Sequence, residues 1–189
     1  MKNYDIAIIG AGPAGLFCAY ELINNNKNLK IALIDKGKRA ETRMCPMKVN
    51  GGKCVNCPTC QILSGYGGAG TFSDGKLNTL VKDKFFRGKK VFEIFVENGA
   101  PEEIMYLNNP HIGTDLLRQV IINMREKIIS NGGEINYNST LTDLVIENNS
   151  LQAIVINEKT IPCKNLVLAI GHSARDTFEM LYQKKLEMS

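Results

Sequence analysis

The sequence predicts an α/β fold built on a parallel β-sheet, and three features of the chain carry that prediction. A short apolar run at 6–9, rich in β-branched residues, ends in a glycine turn and is followed by apolar residues at helical spacing. Further apolar runs lie at 30–34, ending in an acid, and at 166–170, ending in a glycine. Such runs are typical of strands that a parallel sheet buries on both faces.

The composition is that of an ordinary globular protein. The 189 residues are 44% hydrophobic and 22% charged, with only 6 Pro, which excludes a disordered or collagenous chain. The net charge of +4 is spread without a basic block, so we expect no nucleic-acid partner. We also expect no membrane partner, because no apolar run reaches the length of a membrane helix. The first ten residues lack a secretory signal, and we therefore predict a cytoplasmic location.

The first apolar strand leads into the pattern Gly10-Ala11-Gly12-Pro13-Ala14-Gly15. Gly10 permits a tight turn, Gly12 lets the backbone approach a pyrophosphate, and Gly15 lets the helix pack closely on the strand. A pyrophosphate would then lie at the positive end of the helix dipole. Asp35 follows the last glycine at the expected distance of about 20 residues, at the end of the second strand.

Asp35 distinguishes between the dinucleotides. A carboxylate there can accept hydrogen bonds from both hydroxyls of an adenosine ribose, and it would repel a 2′-phosphate. This favours FAD or NAD over NADP. The alternative is a plain βα turn beside a surface carboxylate, but strand, turn, helix and acid are all in register, which favours dinucleotide binding.

The middle of the chain predicts a helix and a group of short strands. Apolar spacing predicts one helix from His111 to Gly133, capped by Thr114 or Asp115. Alternating strands follow at 134–137, 141–147, 151–157 and 159–163, and turn residues between the last three predict an antiparallel meander. The predicted fold class is therefore α/β, a Rossmann-like parallel sheet with a three-stranded antiparallel meander insertion.

Two further segments complete the outline of the chain. The polar stretch from Lys82 to Asn109 contains a predicted helix over Val91 to Glu97, and we take it as a candidate start of an inserted or substrate-facing segment. After the third strand, Gly171 leads into a predicted short helix in which Ser173 and Asp176 resemble a capping box.

Glycine and cysteine are concentrated between the second strand and that helical stretch. Segment 64–76 holds five glycines, more than a packed scaffold would use, because each adds to the entropy lost on folding. Its bare amides beside Ser73, Asp74 and Lys76 would suit a phosphate or a polar ring edge. The alternative is a mobile surface loop.

The cysteines form a second cluster just ahead of this segment. Cys54, Cys57 and Cys60 are each three positions apart, and Cys45 lies upstream. Four thiols suffice for a zinc site or an iron-sulfur cluster, and we predict a candidate metal site at Cys45, Cys54, Cys57 and Cys60. The alternatives are unliganded thiols or a redox pair. A disulfide framework is the less expected use in a cytosolic protein.

Taken together, the motifs resemble the bacterial FAD-dependent oxidoreductases of the glutathione-reductase-like fold, over almost the whole chain. The most specific stretches are 67–78, 111–115 and 168–176. The resemblance implies one FAD-binding domain over 1–189. The first stretch would pass near the flavin, and Ala169 to His172 would contact FAD at a strand end. The implied cofactor-binding residues are Gly10, Gly12, Pro13, Ala14, Gly15, Asp35, Lys36, Arg43, Gly70, Thr71, Ser73, Asp74, Gly75, Lys76, Val145, Ala169, Gly171 and His172.

The resemblance implies an FAD-dependent dehydrogenase acting on a small molecule, with NAD(P)H as a candidate electron donor. Proteins of this type are commonly more than twice as long, so we expect a domain that is incomplete at its C-terminus. No catalytic residue is assigned, since a histidine such as His172 in a glycine turn usually contacts backbone or cofactor. The rival hypotheses are an NAD-dependent dehydrogenase and a non-catalytic nucleotide- or metal-binding fragment.

Overall fold

The computed structural model describes residues 3–48, 50–77 and 82–187. Within them the chain forms six strands and four α-helices, joined by loops that contain short 3-10 turns. The strands are β1 (Tyr4–Ile9), β2 (Ile31–Ile34), β3 (Glu134–Asn136), β4 (Leu141–Glu147), β5 (Ser150–Ile156) and β6 (Lys159–Leu168). The helices are α1 (Pro13–Asn25), α2 (Arg87–Glu97), α3 (Thr114–Ser130) and α4 (Arg175–Gln183).

All six strands belong to one sheet in the order β3-β2-β1-β6-β5-β4. The first four are parallel, and β6, β5 and β4 form the antiparallel meander, so the predicted fold class is confirmed. The predicted boundary between a meander strand at 159–163 and a parallel strand at 166–170 is wrong. Both are halves of β6, whose first half pairs with β5 and whose second half pairs with β1.

The central strands are buried on both faces, as their apolar runs predict. In β1, Ile8 packs into one core cluster while Ala7 and Ile9 pack into the other. Strand β2 alternates in the same way, with Leu33 in the first cluster and Ile34 in the second. Successive side chains of a strand point to opposite faces, so each strand contributes to both cores.

Helices α1, α2 and α3 contribute to the first core cluster, and α4 packs with the meander into the second. The predicted caps of α3 and α4 are wrong, because the side chains of Thr114 and Asp176 form hydrogen bonds to other segments of the chain. The hydroxyl of Thr114 donates to the carbonyl of Ser73 (2.6 Å), while the carboxylate of Asp176 accepts from Lys36. The helices begin after Gly113 and Ala174 instead.

Segment 82–109 contains α2, which begins four residues earlier than predicted. Ile94 and Phe95 of this helix are buried, and the ring of Phe95 lies 5.4 Å from that of Phe17 on α1. The segment therefore packs onto the same core as β1, α1 and β2. Its role as the start of an inserted or substrate-facing segment stays a prediction.

Among the residues that the structure describes, none of the helices has both the length and the apolar character needed to cross a membrane.

Candidate dinucleotide-binding site

A large cavity opens at the edge of the sheet where β1, β2 and β6 end. Its volume is about 1160 Å³. The strand ends contribute Gly10, Asp35 and Ala169, and the start of α1 contributes Gly12 to Ala14. Ligands of open parallel sheets bind beyond the carboxyl ends of the strands, so this cavity lies where such a site is expected.

Three glycines of the fingerprint have distinct structural roles. A Cβ on Gly10, whose φ is +99°, would lie 2.3 Å from the carbonyl oxygen of Ala169, and one on Gly15 would lie 1.8 Å from that of Gly10. These positions accept only glycine because backbone approaches backbone. Among the described residues, a Cβ on Gly12 would meet only the Cα of Gly68, at 3.9 Å, so Gly12 leaves open cavity instead of relieving a clash.

The N-terminus of α1 faces this cavity through Gly12, Pro13 and Ala14. Pro13 occupies the first helical turn, where its missing amide costs nothing, and the turn carries no acidic side chain. The first amides of a helix have no partner within it, and the helix dipole is positive at this end. The site therefore favours an anion, as a pyrophosphate is.

Asp35 is buried and its carboxylate is fixed by the backbone. The amide of Ala11 donates to Oδ2 and the amide of Gly37 to Oδ1, each at 2.7 Å. Its side chain also lines the cavity. Each carboxylate oxygen accepts more than one hydrogen bond, so the geometry leaves capacity for hydroxyl donors from a ligand. By accepting these two hydrogen bonds, the Asp35 carboxylate also connects the glycine turn to the end of β2.

A smaller recess of about 50 Å³ adjoins Asp35 on the side of the meander. It is lined in part by Ser139, Thr140 and Leu141, which follow β3 and enter β4. We did not predict these residues from the sequence. The signal was present, because β3 is parallel to β2 and its carboxyl end must reach the same edge of the sheet. Val145, predicted to contact the cofactor, instead lies within β4 opposite Ala153 and lines neither cavity.

Lys36 lines the main cavity from the end of β2, and its ammonium group forms an ion pair within the protein. Its Nζ lies 2.9 Å from Oδ2 of Asp176 on α4. Partial burial acts to raise the pKa of Asp176, but the hydrogen bond and positive charge of Lys36 outweigh it, so this pKa is lowered. The pair joins the first strand–helix unit to the C-terminal helix across the cavity edge.

Arg43 does not line the cavity, although the sequence analysis placed it near the cofactor. Its guanidinium is buried and holds the backbone of the glycine-rich segment in place through hydrogen bonds. Burial lowers the pKa of Arg43 to about 10, while the negative charge of Asp35 opposes this, so Arg43 remains a cation at neutral pH. Five acceptors receive its hydrogen bonds at 2.7 to 3.0 Å: the carbonyls of Gln61, Ile62, Tyr66 and Gly68 and the hydroxyl of Thr71.

The glycine-rich segment divides into two parts. Residues 63–65, Gly68 and Ala69 line the cavity, whereas residues from Gly70 onward do not. The second part runs to the start of α3, where Gly75 approaches the backbone of Gly113. Six residues predicted to bind the cofactor therefore lie outside the cavity: Gly70, Thr71, Ser73, Asp74, Gly75 and Lys76.

Within that second part, Asp74 and Lys76 pair with each other at the surface, at 2.8 Å. The hydrogen bond from Lys76 lowers the pKa of Asp74, and the reciprocal bond raises that of Lys76. Asn78, the last residue of the predicted loop motif, lies outside the described residues.

The end of β6 contributes the segment 168–174 to the cavity, which includes Ala169, Gly171 and His172, and their contact with a cofactor stays a prediction. The amide of Ala169 donates to the carbonyl of Ile9 (2.8 Å), which holds this segment beside the glycine turn. Gly171 has a φ of +68°, a conformation that favours glycine. His172 is exposed at the cavity wall.

The four clustered cysteines, as the structure places them, are not gathered around one point. Within residues 3–48, 50–77 and 82–187, no three His, Cys, Asp or Glu side chains are grouped so that they could hold a metal ion. Cys54 is exposed and its sulfur accepts from the amide of Asn56, while Cys57 and Cys60 are half-buried and line the cavity. Cys45 does not reach that cavity. The zinc or iron-sulfur site at Cys45, Cys54, Cys57 and Cys60 therefore stays a prediction, without support from this arrangement of the thiols.

Comparisons with known proteins identify the family. The model of the pyridine nucleotide-disulphide oxidoreductase family matches residues 4–180. A protein of Clostridium beijerinckii, described as uncharacterized, is 42% identical over 183 residues, which cover 96% of this chain and 33% of that protein. The chain therefore spans about one third of the length of this curated relative.

Solved structures share the fold at low sequence identity. THI4 of Thermovibrio ammonificans has a TM-score of 0.62 at 16% identity, over 98% of this chain and 64% of that one. Glycine oxidase of Bacillus cereus has a TM-score of 0.56 at 15% identity, covering 96% and 59% of the two chains. The quinol fumarate reductase subunit FrdA of E. coli has a TM-score of 0.61 at 13% identity, covering 96% and 37%.

Proposed function

Because this chain belongs to the pyridine nucleotide-disulphide oxidoreductase family, we propose that it is the FAD-binding part of a flavin-dependent oxidoreductase. The observation that carries the proposal is Gly12. Its missing side chain is not required by any neighbouring backbone, unlike those of Gly10 and Gly15, and it leaves space directly in front of the amides that begin α1. That space suits a pyrophosphate.

The residues around the cavity fit the two halves of FAD. Asp35 would bind the ribose of the adenosine half, and the adenine would lie beside it with one edge at the recess of 139–141. The pyrophosphate would lie at Gly12 to Ala14, against the N-terminus of α1. The segments 63–69 and 168–174 would then lie along the other half of the cofactor.

When bound, FAD supplies the hydride or electron transfer itself, and the protein supplies binding, orientation and electrostatics. This chain contributes a fixed carboxylate at Asp35 and a helix dipole at the pyrophosphate. Arg43, which does not line the cavity, donates to the carbonyls of Tyr66 and Gly68, so the backbone that would meet the cofactor is held in place.

The remaining assignments are part of this proposal. We propose a small-molecule substrate, NAD(P)H as the electron donor, and a cytoplasmic location. Two relatives of the same fold are described as a glycine oxidase and a fumarate reductase, both of which act on small molecules. All six cysteines, which lie within the described residues, are free, and free thiols are typical of reducing compartments.

The variant Gly12→Ala tests the proposal. The added methyl group meets only the Cα of Gly68 at an ordinary contact distance, so we expect the free energy of unfolding without cofactor to be unchanged within about 0.5 kcal/mol. The methyl group occupies the place of the pyrophosphate, so the affinity for FAD, measured by titration calorimetry, should fall about tenfold or more, about 1.4 kcal/mol.

Gly88→Ala is the matched control, because Gly88 lies in α2, away from the cavity, and its Cβ would face only the flexible side chain of Asp83. It should bind FAD like the wild type. Equal FAD affinity in Gly12→Ala and wild type would refute the proposed site. Saturable binding of NAD with no binding of FAD would favour the NAD-dependent alternative.

A further inference from the structure

We propose that residues 82–90 form a docking surface for the headgroup region of a lipid bilayer that is rich in acidic phospholipids. This segment, here called the basic-aromatic turn, leads into α2 and its first helical turn. None of its residues lines the main cavity. The inference goes beyond the proposed function, because docking requires no bound cofactor.

Positive charge is concentrated in the basic-aromatic turn. Five of its nine residues are Lys or Arg and one is acidic, whereas the whole chain has 23 basic and 19 acidic residues. All five cations are exposed: Lys82, Lys84, Arg87, Lys89 and Lys90. Among the described residues, only Lys89 lies within ion-pair distance of a carboxylate, at 3.8 Å from Glu93. Most of this positive charge is therefore available to an external partner.

Two adjacent phenylalanines extend from the same turn into solvent. Phe85 is 73% exposed and Phe86 is 71% exposed. Phe86 also has a φ of +54°, a left-handed conformation that is uncommon for a bulky residue. A disfavoured backbone conformation that leaves an apolar ring in water does not stabilise the chain alone. Such an outlier indicates a functional role for the segment.

Hydrogen bonds fix the turn against the start of α2. The carboxylate of Asp83 accepts from the amides of Arg87 (2.7 Å) and Lys89 (3.2 Å), and the amide of Lys90 donates to the carbonyl of Phe86 (3.0 Å). The one acidic side chain of the turn is therefore engaged by the backbone of the helix. These bonds gather the cations and the two rings into one compact surface, although no long run of basic residues exists in the sequence.

The charges oppose the helix that carries them. Arg87, Lys89 and Lys90 lie in the first turn of α2, which contains no acidic residue. The helix dipole is positive at this end, so cations placed there destabilise the helix. Departures from local stability rules are expected at functional sites, and this one is consistent with recognition of an external anionic surface.

An acidic bilayer surface matches both features of the turn. Lysine and arginine are attracted to the negative surface potential, and exposed phenylalanine inserts at the boundary between headgroups and acyl chains. Such peripheral contact needs no membrane-spanning run, and the absence of such a run was the basis for expecting no membrane partner. The inference therefore concerns a surface contact and not insertion across the bilayer.

Single-stranded nucleic acid is the rival partner, because it also combines negative charge with groups that contact aromatic rings. Bases stack on the open face of a ring. The guanidinium of Arg87 lies over the ring of Phe85, 5.1 Å from its centre, and so covers one of its faces. Insertion of the ring edge between lipid headgroups does not require an open face, which favours the bilayer.

Co-sedimentation with sucrose-loaded lipid vesicles tests the inference. The wild-type chain is mixed with vesicles of phosphatidylcholine alone, or of phosphatidylcholine and phosphatidylglycerol in equal parts. We expect the partition coefficient at about 0.1 M NaCl to be at least about tenfold higher for the acidic vesicles, and most of this preference to be lost at about 0.5 M NaCl.

Two pairs of substitutions separate the roles of charge and of the aromatic rings. The double variant Lys84→Gln, Lys90→Gln removes two exposed cations and should lower the partition coefficient on acidic vesicles roughly thirtyfold. The double variant Phe85→Ala, Phe86→Gly should weaken binding at both salt concentrations, because the lost contact is apolar. Glycine suits the φ of residue 86, so this variant should unfold at the same urea concentration as the wild type.

Matched controls lie elsewhere on the surface. The double variant Lys159→Gln, Lys164→Gln removes the same charge from exposed positions on β6, and its partition coefficient should change by less than about threefold. Tyr182→Ala removes a ring on α4 that is 75% exposed, and it should bind vesicles like the wild type.

Three results would overturn the inference. The first is equal partition of the wild-type chain onto neutral and acidic vesicles. The second is binding to acidic vesicles that the lysine and phenylalanine variants leave unchanged. The third is binding of a fluorescent single-stranded oligothymidine through the same residues without binding of vesicles, which would assign the turn to nucleic acid.

Discussion

The buried guanidinium of Arg43 gives the sharpest prediction, because the sequence suggests a cofactor contact and the structure shows a brace. Its Nη1 donates to the buried carbonyls of Tyr66 and Gly68 and to the hydroxyl of Thr71, all between 2.9 and 3.0 Å. In Arg43→Met these acceptors lose that donor. The Gly68 carbonyl still accepts from Thr71, so its loss is partial.

The magnitude follows from these contacts. A buried polar group left without a partner costs about 1–3 kcal/mol, so the Tyr66 carbonyl and the partly satisfied Gly68 carbonyl together give a loss of about 3 kcal/mol in the free energy of unfolding. In a protein of this size that corresponds to a fall in Tm of roughly 6–12 °C. We expect Arg43→Lys to lose nearly as much, because an ammonium cannot reproduce the fork of donors.

The assay is urea unfolding of the cofactor-free chain followed by circular dichroism. Arg87→Met is the matched control, since Arg87 is exposed at the start of α2 and its loss should change the free energy by less than about 0.5 kcal/mol. Should Arg43→Met unfold like the wild type and lose only FAD affinity, Arg43 would be a cofactor ligand and the bracing role would be refuted.

Two further predictions concern stability. Glu41→Gln removes an ion pair with Arg125 (2.6 Å). Burial acts to raise the pKa of Glu41, but its hydrogen bonds and the charge of Arg125 outweigh burial, so this pKa lies below its ordinary value of 4.5. The ion pair therefore stabilises the folded protein above pH 4.5, by about 1 kcal/mol or less because both groups are partly exposed. The difference in the free energy of unfolding between variant and wild type should vanish as the pH falls through the lowered pKa. A difference in urea unfolding that is unchanged at pH 3 would contradict this. Tyr66→Phe removes a fully buried hydroxyl that has no hydrogen-bond partner among the residues the structure describes. The free energy of unfolding should therefore stay equal or rise by about 1 kcal/mol, and a loss above about 1 kcal/mol would show that the hydroxyl has a partner.

Local sequence predicts the parts of the site that depend on neighbours in the chain. The roles of Gly10 and Gly15 follow from a single strand–turn–helix unit, and the structure confirms the tight turn and the close packing. The two-sided burial of β1 follows from its unbroken apolar run. In each case the physical cause acts within about ten residues.

Features that depend on distant parts of the chain could not be predicted in the same way. Arg43 is 25 positions from Gly68, and no periodicity shows that a cation between them will be buried as a brace. The path of the glycine-rich segment divides at Gly70 because its second half pairs with the start of α3. The cysteine spacing is compatible with metal binding, and only the backbone path of the segment separates Cys54 from the cavity.

The continuity of β6 has a consequence for how the chain can be cut and rejoined. This one strand of ten residues is both the last strand of the meander, paired with β5, and the parallel neighbour of β1. A deletion that removed β4, β5 and β6 together would therefore remove one of the two strands that pair with β1, and it would separate the cavity wall at 168–174 from the strand that leads into it. The β4–β5 turn at Asn148 and Asn149, by contrast, joins two exposed strand ends, and a tag or a new terminus placed there leaves every cavity-lining segment intact.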